Sequence, residues 1–146
     1  MKNTRAKPQT MLDLALATID VYFRMYALTE AITGFAQAGG DYGLLRLLIR
    51  DGPQTVPELA RSRPISRQHC QTIINGLAKG GYIEFVKNPR HKRSHLIRVT
   101  KRGHASFEEQ TKRFLTVSAV YAGHFEEADV QAAIDVLTRA RDLIKV

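Results

Sequence analysis

The sequence predicts a mainly α-helical protein with one small β-hairpin, and three observations carry that prediction. Apolar residues recur at three- and four-residue steps over most of the 146 residues. Glycine and proline punctuate those stretches at Gly39-Gly40, Gly52-Pro53, Pro64 and Gly80-Gly81. Only residues 82–99 change to short apolar runs flanking a polar loop, as a hairpin requires.

Each element follows from local chemistry. Residues 10–36 read as a helix, with Leu12, Leu16, Ile19, Phe23, Tyr26 and Ala27 on one stripe and Gly39-Gly40 beyond it. Asp41 is placed to cap a second helix, whose apolar side carries Leu44, Leu45, Leu48 and Ile49 and which Gly52-Pro53 stops. Thr55 and Glu58 have capping-box spacing and open a short helix through Leu59 and Ala60, ended by Pro64. Ser66 then caps a helix running to about Lys79. Its inward stripe is Cys70, Ile73, Ile74 and Leu77, and its outward face is Arg67, Gln68, Gln71, Thr72 and Asn75. Gly80-Gly81 supplies a left-handed residue to close it.

Tyr82, Ile83, Phe85 and Val86 read as a first strand, and Leu96, Ile97 and Val99 as part of a second. Asn88-Pro89 begins the turn between them, and Arg90, His91, Lys92, Arg93 and Ser94 form its polar tip. Thr100 is placed to cap a helix carrying Phe107, Phe114, Leu115 and Val117 or Val120. A last helix starts near Glu127 and carries Val130, Ile134, Leu137, Ala140 and Ile144. This order is a winged helix-turn-helix: two helices about a turn, then a basic hairpin, with further helices on either side.

Charge follows the same map. The net charge is +8, yet residues 1–60 carry 6 basic and 6 acidic side chains. Residues 61–102 carry 11 basic side chains and a single acid, Glu84. Residues 103–146 carry 5 basic and 7 acidic. The excess therefore coincides with the turn, the polar-faced helix and the hairpin. A helix fits the major groove of B-DNA, where arginine and glutamine match guanine and adenine edges. A basic hairpin tip reaches phosphates or an adjacent minor groove. Ser66, Arg67, Gln68, Gln71, Thr72 and Asn75 are the candidate groove residues, and Arg90, His91, Lys92 and Arg93 the candidate wing contacts. Arg98, Lys101 and Arg102 are weaker candidates for phosphate contact.

Several residues have plainer readings. Cys70, the one cysteine, lies on the inward stripe and reads as a small core residue rather than a redox sensor. His69, His91, His95, His104 and His124 are scattered, with no ligand spacing for a metal. Tyr22, Phe23, Met25, Tyr26 and Phe35 read as subunit-interface core before ligand pocket.

The segments Thr55-Val56-Pro57-Glu58-Leu59-Ala60, Ile65-Ser66-Arg67-Gln68 and Leu77-Ala78-Lys79-Gly80-Gly81-Tyr82-Ile83 resemble the MarR family of winged helix-turn-helix transcription factors. So do Asn88-Pro89 with its basic tip and Val99-Thr100-Lys101-Arg102-Gly103. The resemblance spans nearly the whole chain. It implies a homodimer on a palindromic site of double-stranded DNA, with half-sites about one helical turn apart. It also implies repression and release by a small-molecule effector. The expected organisation is one domain over 1–146, with a DNA-binding core at 41–102 and dimerisation helices at 10–36 and 103–146. One departure stands out. The family's wing carries an aspartate with an arginine two residues on, whereas Arg90-His91-Lys92-Arg93 holds no acid, so the usual wing brace is expected to be lost.

Other classes fare worse. No run of about 18 uncharged apolar residues exists to span a membrane, and no signal-peptide pattern follows the basic start, so a soluble cytoplasmic protein is expected. There is no phosphate-binding glycine loop of the P-loop kind, no H-E-x-x-H and no nucleophile elbow, so no enzyme and no cofactor are expected. An RNA-binding or protein-interaction winged helix is the alternative reading.

Overall fold

The computed structural model describes residues 5–33, 41–63 and 65–144, with the side chains of 29–33 left aside. Gly39-Gly40, Phe35 and Pro64 lie outside the described residues. Six helices and two strands follow in order: α1 (Pro8–Thr33), α2 (Asp41–Asp51), α3 (Val56–Arg61), α4 (Arg67–Lys79), β1 (Ile83–Lys87), β2 (His95–Val99), α5 (Lys101–Ala122) and α6 (Glu127–Leu143). The chain divides into two compact units, one up to Gly40 and one from Asp41 onward.

In the first unit, α1 begins two residues before the sequence boundary, with Pro8 in its first turn, where a missing N–H costs nothing. Leu12, Leu16, Ile19, Tyr22 and Phe23 are all exposed.

The second unit holds the core. Leu44, Leu45, Leu48, Leu59, Cys70, Ile74, Leu77, Ile83 and Ile97 are buried together. Leu47 is also buried while Ile49 is only half-buried, because α2 is covered by α4, α5 and β2 and not along a single stripe. The Tyr42 ring stacks on Phe107 at a centroid distance of 4.8 Å and lies tilted against Phe114 at 4.9 Å. The Tyr42 and Thr111 hydroxyls are 3.1 Å apart, which completes the α2–α5 seam. Asp41 stands in the first turn of α2, not before it, and burial raises its carboxyl pKa.

Caps set the other boundaries. The Glu58 carboxylate accepts from both the backbone N–H and the hydroxyl of Thr55, each at 2.8 Å, in a capping box. These bonds, the backbone one first, lower the Glu58 pKa. Ser66 Oγ accepts from the His69 N–H at 3.1 Å, and Thr100 Oγ1 from the Gly103 N–H at 3.1 Å. Gly81, at φ +73°, turns the chain from α4 into β1, while Gly80 keeps right-handed geometry.

The strands pair antiparallel, with Ile83 opposite Val99 and Lys87 opposite His95. Tyr82 falls just before β1, and its carbonyl accepts from the Thr100 N–H at 3.0 Å. Phe107, Phe114 and Val117 are half-buried on α5, whereas Leu115 and Val120 are exposed. Along α6 no residue is buried, and Val130, Ile134 and Leu137 face solvent.

Two stability predictions follow from these contacts. A Cβ at Gly103 would collide with the Tyr82 carbonyl and Val99, so Gly103→Ala should destabilise by about 1–3 kcal/mol in chemical denaturation. Glu58 has a lower pKa folded than unfolded, so its capping stability is complete above the unfolded value near ~4.3 and disappears as pH falls through the folded one. Glu58→Gln should therefore flatten the wild-type loss of stability in that acid range, read as unfolding midpoint against pH.

Candidate nucleic-acid interface

The candidate site is built on α4, which starts cleanly at Ser66 and buries the stripe Cys70, Ile73, Ile74 and Leu77. Fixing that stripe fixes the opposite face. Arg67, Gln68, Thr72 and Asn75 are exposed, and Gln71 is half-buried. Gln71 Nε2 donates to Asn75 Oδ1 at 2.9 Å, and the Thr72 hydroxyl donates to the Gln68 carbonyl at 3.0 Å. Those two contacts hold the middle of the face in order. Arg67 and Gln68 extend from the first turn, where the helix N-terminus adds positive potential. No acid occurs within α4.

The wing presents the second cluster. Arg90, His91, Lys92 and Arg93 are all exposed between the two strands. The absent acidic brace has a neutral substitute. Asn88 Nδ2 donates to Ser94 Oγ at 3.0 Å, and Asn88 Oδ1 accepts from the Arg90 N–H at 3.0 Å. One side chain thus closes the loop and begins its turn. The expectation of an unbraced wing is corrected on this point: an asparagine does the closing, and all the positive charge stays outward. Sequence reading passed over Asn88 and Ser94 as mere turn residues, although an Asx turn and a serine six residues on were a legible signal.

The remaining cations are more occupied. Arg98 Nη2 contacts Glu84 Oε1 at 2.7 Å and its Nε donates to the same oxygen at 2.9 Å, across the ladder pair these residues form. The sole acid of the basic segment is thereby neutralised. Arg102 lies 5.1 Å from the centre of the Tyr82 ring in a cation–π contact. The Arg90 charge is the smallest of the influences that lower the Glu58 pKa.

Cys70 is fully buried, and desolvation raises its thiol pKa, as a core role requires. The histidines join no cluster of three or more metal-binding side chains among the described residues. None of the described helices is long and apolar enough to cross a membrane.

A capped helix with a polar outward face, beside a hairpin with a cationic tip, defines the winged helix-turn-helix class. Residues 38–94 match the model of the MarR family, which bears out the resemblance read from the sequence. An uncharacterized protein of Mycobacterium tuberculosis (strain ATCC 25618 / H37Rv) is 33% identical over 92 residues, 63% of this chain and 64% of that protein. The match thus spans less than two thirds of that relative's length. Among solved structures, a MarR family transcription regulator superposes with a TM-score of 0.70 at 23% identity, over 90% of this chain and 88% of that one. BpsR of Bordetella bronchiseptica, whose DNA binding is regulated by 6-hydroxynicotinic acid, gives 0.69 at 18% identity over 89% and 94%. The fold is the MarR-type winged helix, and members of that family are transcription regulators, not enzymes.

Asn88→Ala should leave the strand pairing intact but speed amide hydrogen exchange at the loop residues 90–94 at least several-fold, because both bonds that close the loop go with its side chain.

Proposed function

We propose that this chain is a homodimeric transcriptional regulator, acting as a repressor on a palindromic site of double-stranded DNA. The observation that carries the reading is the acid-free outward face of α4 paired with the four exposed side chains of the wing tip. Arg67 and Gln68 read base edges from the first turn of α4, joined by Gln71, Thr72 and Asn75. Ser66 sets the helix start that aims them. Arg90, His91, Lys92 and Arg93 hold the flanking phosphates or minor groove.

The dimer is supported by apolar surface with no cover of its own. Phe23 on α1 is 64% exposed, and Leu115 on α5 is 62% exposed. Phe125, between α5 and α6, is 65% exposed. Isolated exposed apolar residues are ordinary, but a series along each of three helices marks an interface. The occupant that fits is a second copy, whose twofold then presents two α4 helices to one face of DNA. The organisation proposed is a DNA-binding core at 41–102 with dimerisation helices on either side. Release by a small effector completes the reading, and it is supported by analogy with BpsR, whose DNA binding is regulated by 6-hydroxynicotinic acid.

The test is a binding titration on genomic fragments selected by the protein, across a range of salt. With about 3–5 phosphate contacts per subunit, the log–log slope for a dimer should be about −5 to −9. Arg67→Ala should reduce discrimination between selected and random duplex, whereas Lys92→Ala with Arg93→Ala should weaken every duplex alike. A flat salt response, or preference for structured RNA over duplex, overturns the reading.

A further inference from the structure

One bond in the middle of the α4 face constrains what that face can read. Gln71 and Asn75 lie one helical turn apart, and Gln71 Nε2 donates to Asn75 Oδ1 at 2.9 Å. Gln71 is also half-buried, so packing and the bond together restrict a side chain that is otherwise rich in rotamers. The neighbouring Thr72 hydroxyl donates to the Gln68 carbonyl at 3.0 Å, which directs its hydrogen to the backbone and away from the amide. No acid of α4 competes for the Gln71 N–H.

A primary amide has one carbonyl acceptor and two N–H donors. Asn75 holds one N–H of Gln71, and the carbonyl oxygen and the second N–H remain. An acceptor beside a donor on one planar group matches a single base edge in the major groove. Adenine presents its N6–H donor beside its N7 acceptor. Guanine presents two acceptors, O6 and N7, and would set an oxygen against the Gln71 oxygen. Cytosine offers a donor with no acceptor beside it, and thymine an acceptor beside a methyl group. An unbraced glutamine can turn its amide over and offer donors to guanine. Here that turn would bring the Gln71 oxygen against Asn75 Oδ1, so both side chains would have to turn together.

We propose that Gln71 reads one adenine in each half-site, its carbonyl accepting from N6–H and its second N–H donating to N7, with Asn75 as the positioning residue that holds the Gln71 amide in that direction. The inference rests on the DNA-binding reading above and deepens it from a helix face to a base. Asn75 acts through Gln71 and makes no base contact of its own. Fixing the amide beforehand lowers the ordering cost of the contact, which sharpens the discrimination.

The experiment uses the full chain and a duplex from the fragments it selects, with every base pair permuted in turn. Wild type should prefer adenine at one position of each half-site by about tenfold or more, and Gln71→Ala should lose that preference. Replacing this adenine by 7-deazaadenine removes the N7 acceptor and keeps the base pair. It should weaken wild type about tenfold and Gln71→Ala hardly at all. Asn75→Ala should reduce the preference several-fold. Asn75→Asp keeps an acceptor for Gln71 Nε2, so it should retain the preference while its charge weakens binding to every duplex. Alanine favours a helix at both positions, so the variants should fold.

The proposal is overturned if the position that Gln71→Ala changes is a G·C pair, or if 7-deazaadenine weakens both proteins equally. It is also overturned if Asn75→Ala keeps the full preference, or if Asn75→Asp loses it as Asn75→Ala does. Selective duplex binding that Gln71→Ala leaves untouched overturns this inference alone. Absence of any duplex binding overturns the DNA-binding reading and this inference with it.

Discussion

The chain at Gln54 and Ile97 is where the second unit is tied together. Each residue's N–H donates to the other's carbonyl, at 3.3 Å from Gln54 and 2.8 Å from Ile97. Ile97 is at once the central residue of β2 and a fully buried part of the core. The hairpin is therefore not an appendage. The segment just before α3 adds a single bridge at Gln54 to its edge, and the core side chain of Ile97 seats it among the helices. A two-stranded hairpin alone is marginal in water. This bridge and the buried Ile83 and Ile97 give the wing a fixed root, so that the reach of its tip is set by the core and not by the loop.

The outward face of α4 is the reverse side of a packing decision. The stripe Cys70–Ile73–Ile74–Leu77 leaves only one face of α4 outward, and that face consists of arginine, amides and a hydroxyl. Glu84 sits opposite Arg98 on the ladder, where it cancels a strand cation and no tip cation. The acid that is present thus stays out of the way of the charge that matters. Asn88 extends the same economy, closing the loop without adding a negative group to it.

Most of the second unit was legible because its signals are local. Ser66 and Thr100 were identified as caps, and both accept the bonds that caps accept. Cys70, Ile73, Ile74 and Leu77 were placed inward by a helical period that burial respects. Errors arose where a residue's fate depends on several neighbours. Leu47 is buried and Ile49 less so because α2 is surrounded, which no single-stripe pattern encodes. The choice between Val117 and Val120 fell to Val117, which is half-buried where Val120 is exposed. The outward face of α4, by contrast, needed nothing beyond its own thirteen residues.

The single buried thiol has a practical meaning. Cys70 packs at the centre of the inner stripe of α4, 4.0 Å from the Val56 carbonyl of α3. It is the only cysteine in the chain. A thiol reagent reaches it only when the core around α4 opens, so its labelling rate times that opening. The protein carries its own built-in reporter of how often the core beneath α4 opens, with no competing sulfhydryl to obscure the reading.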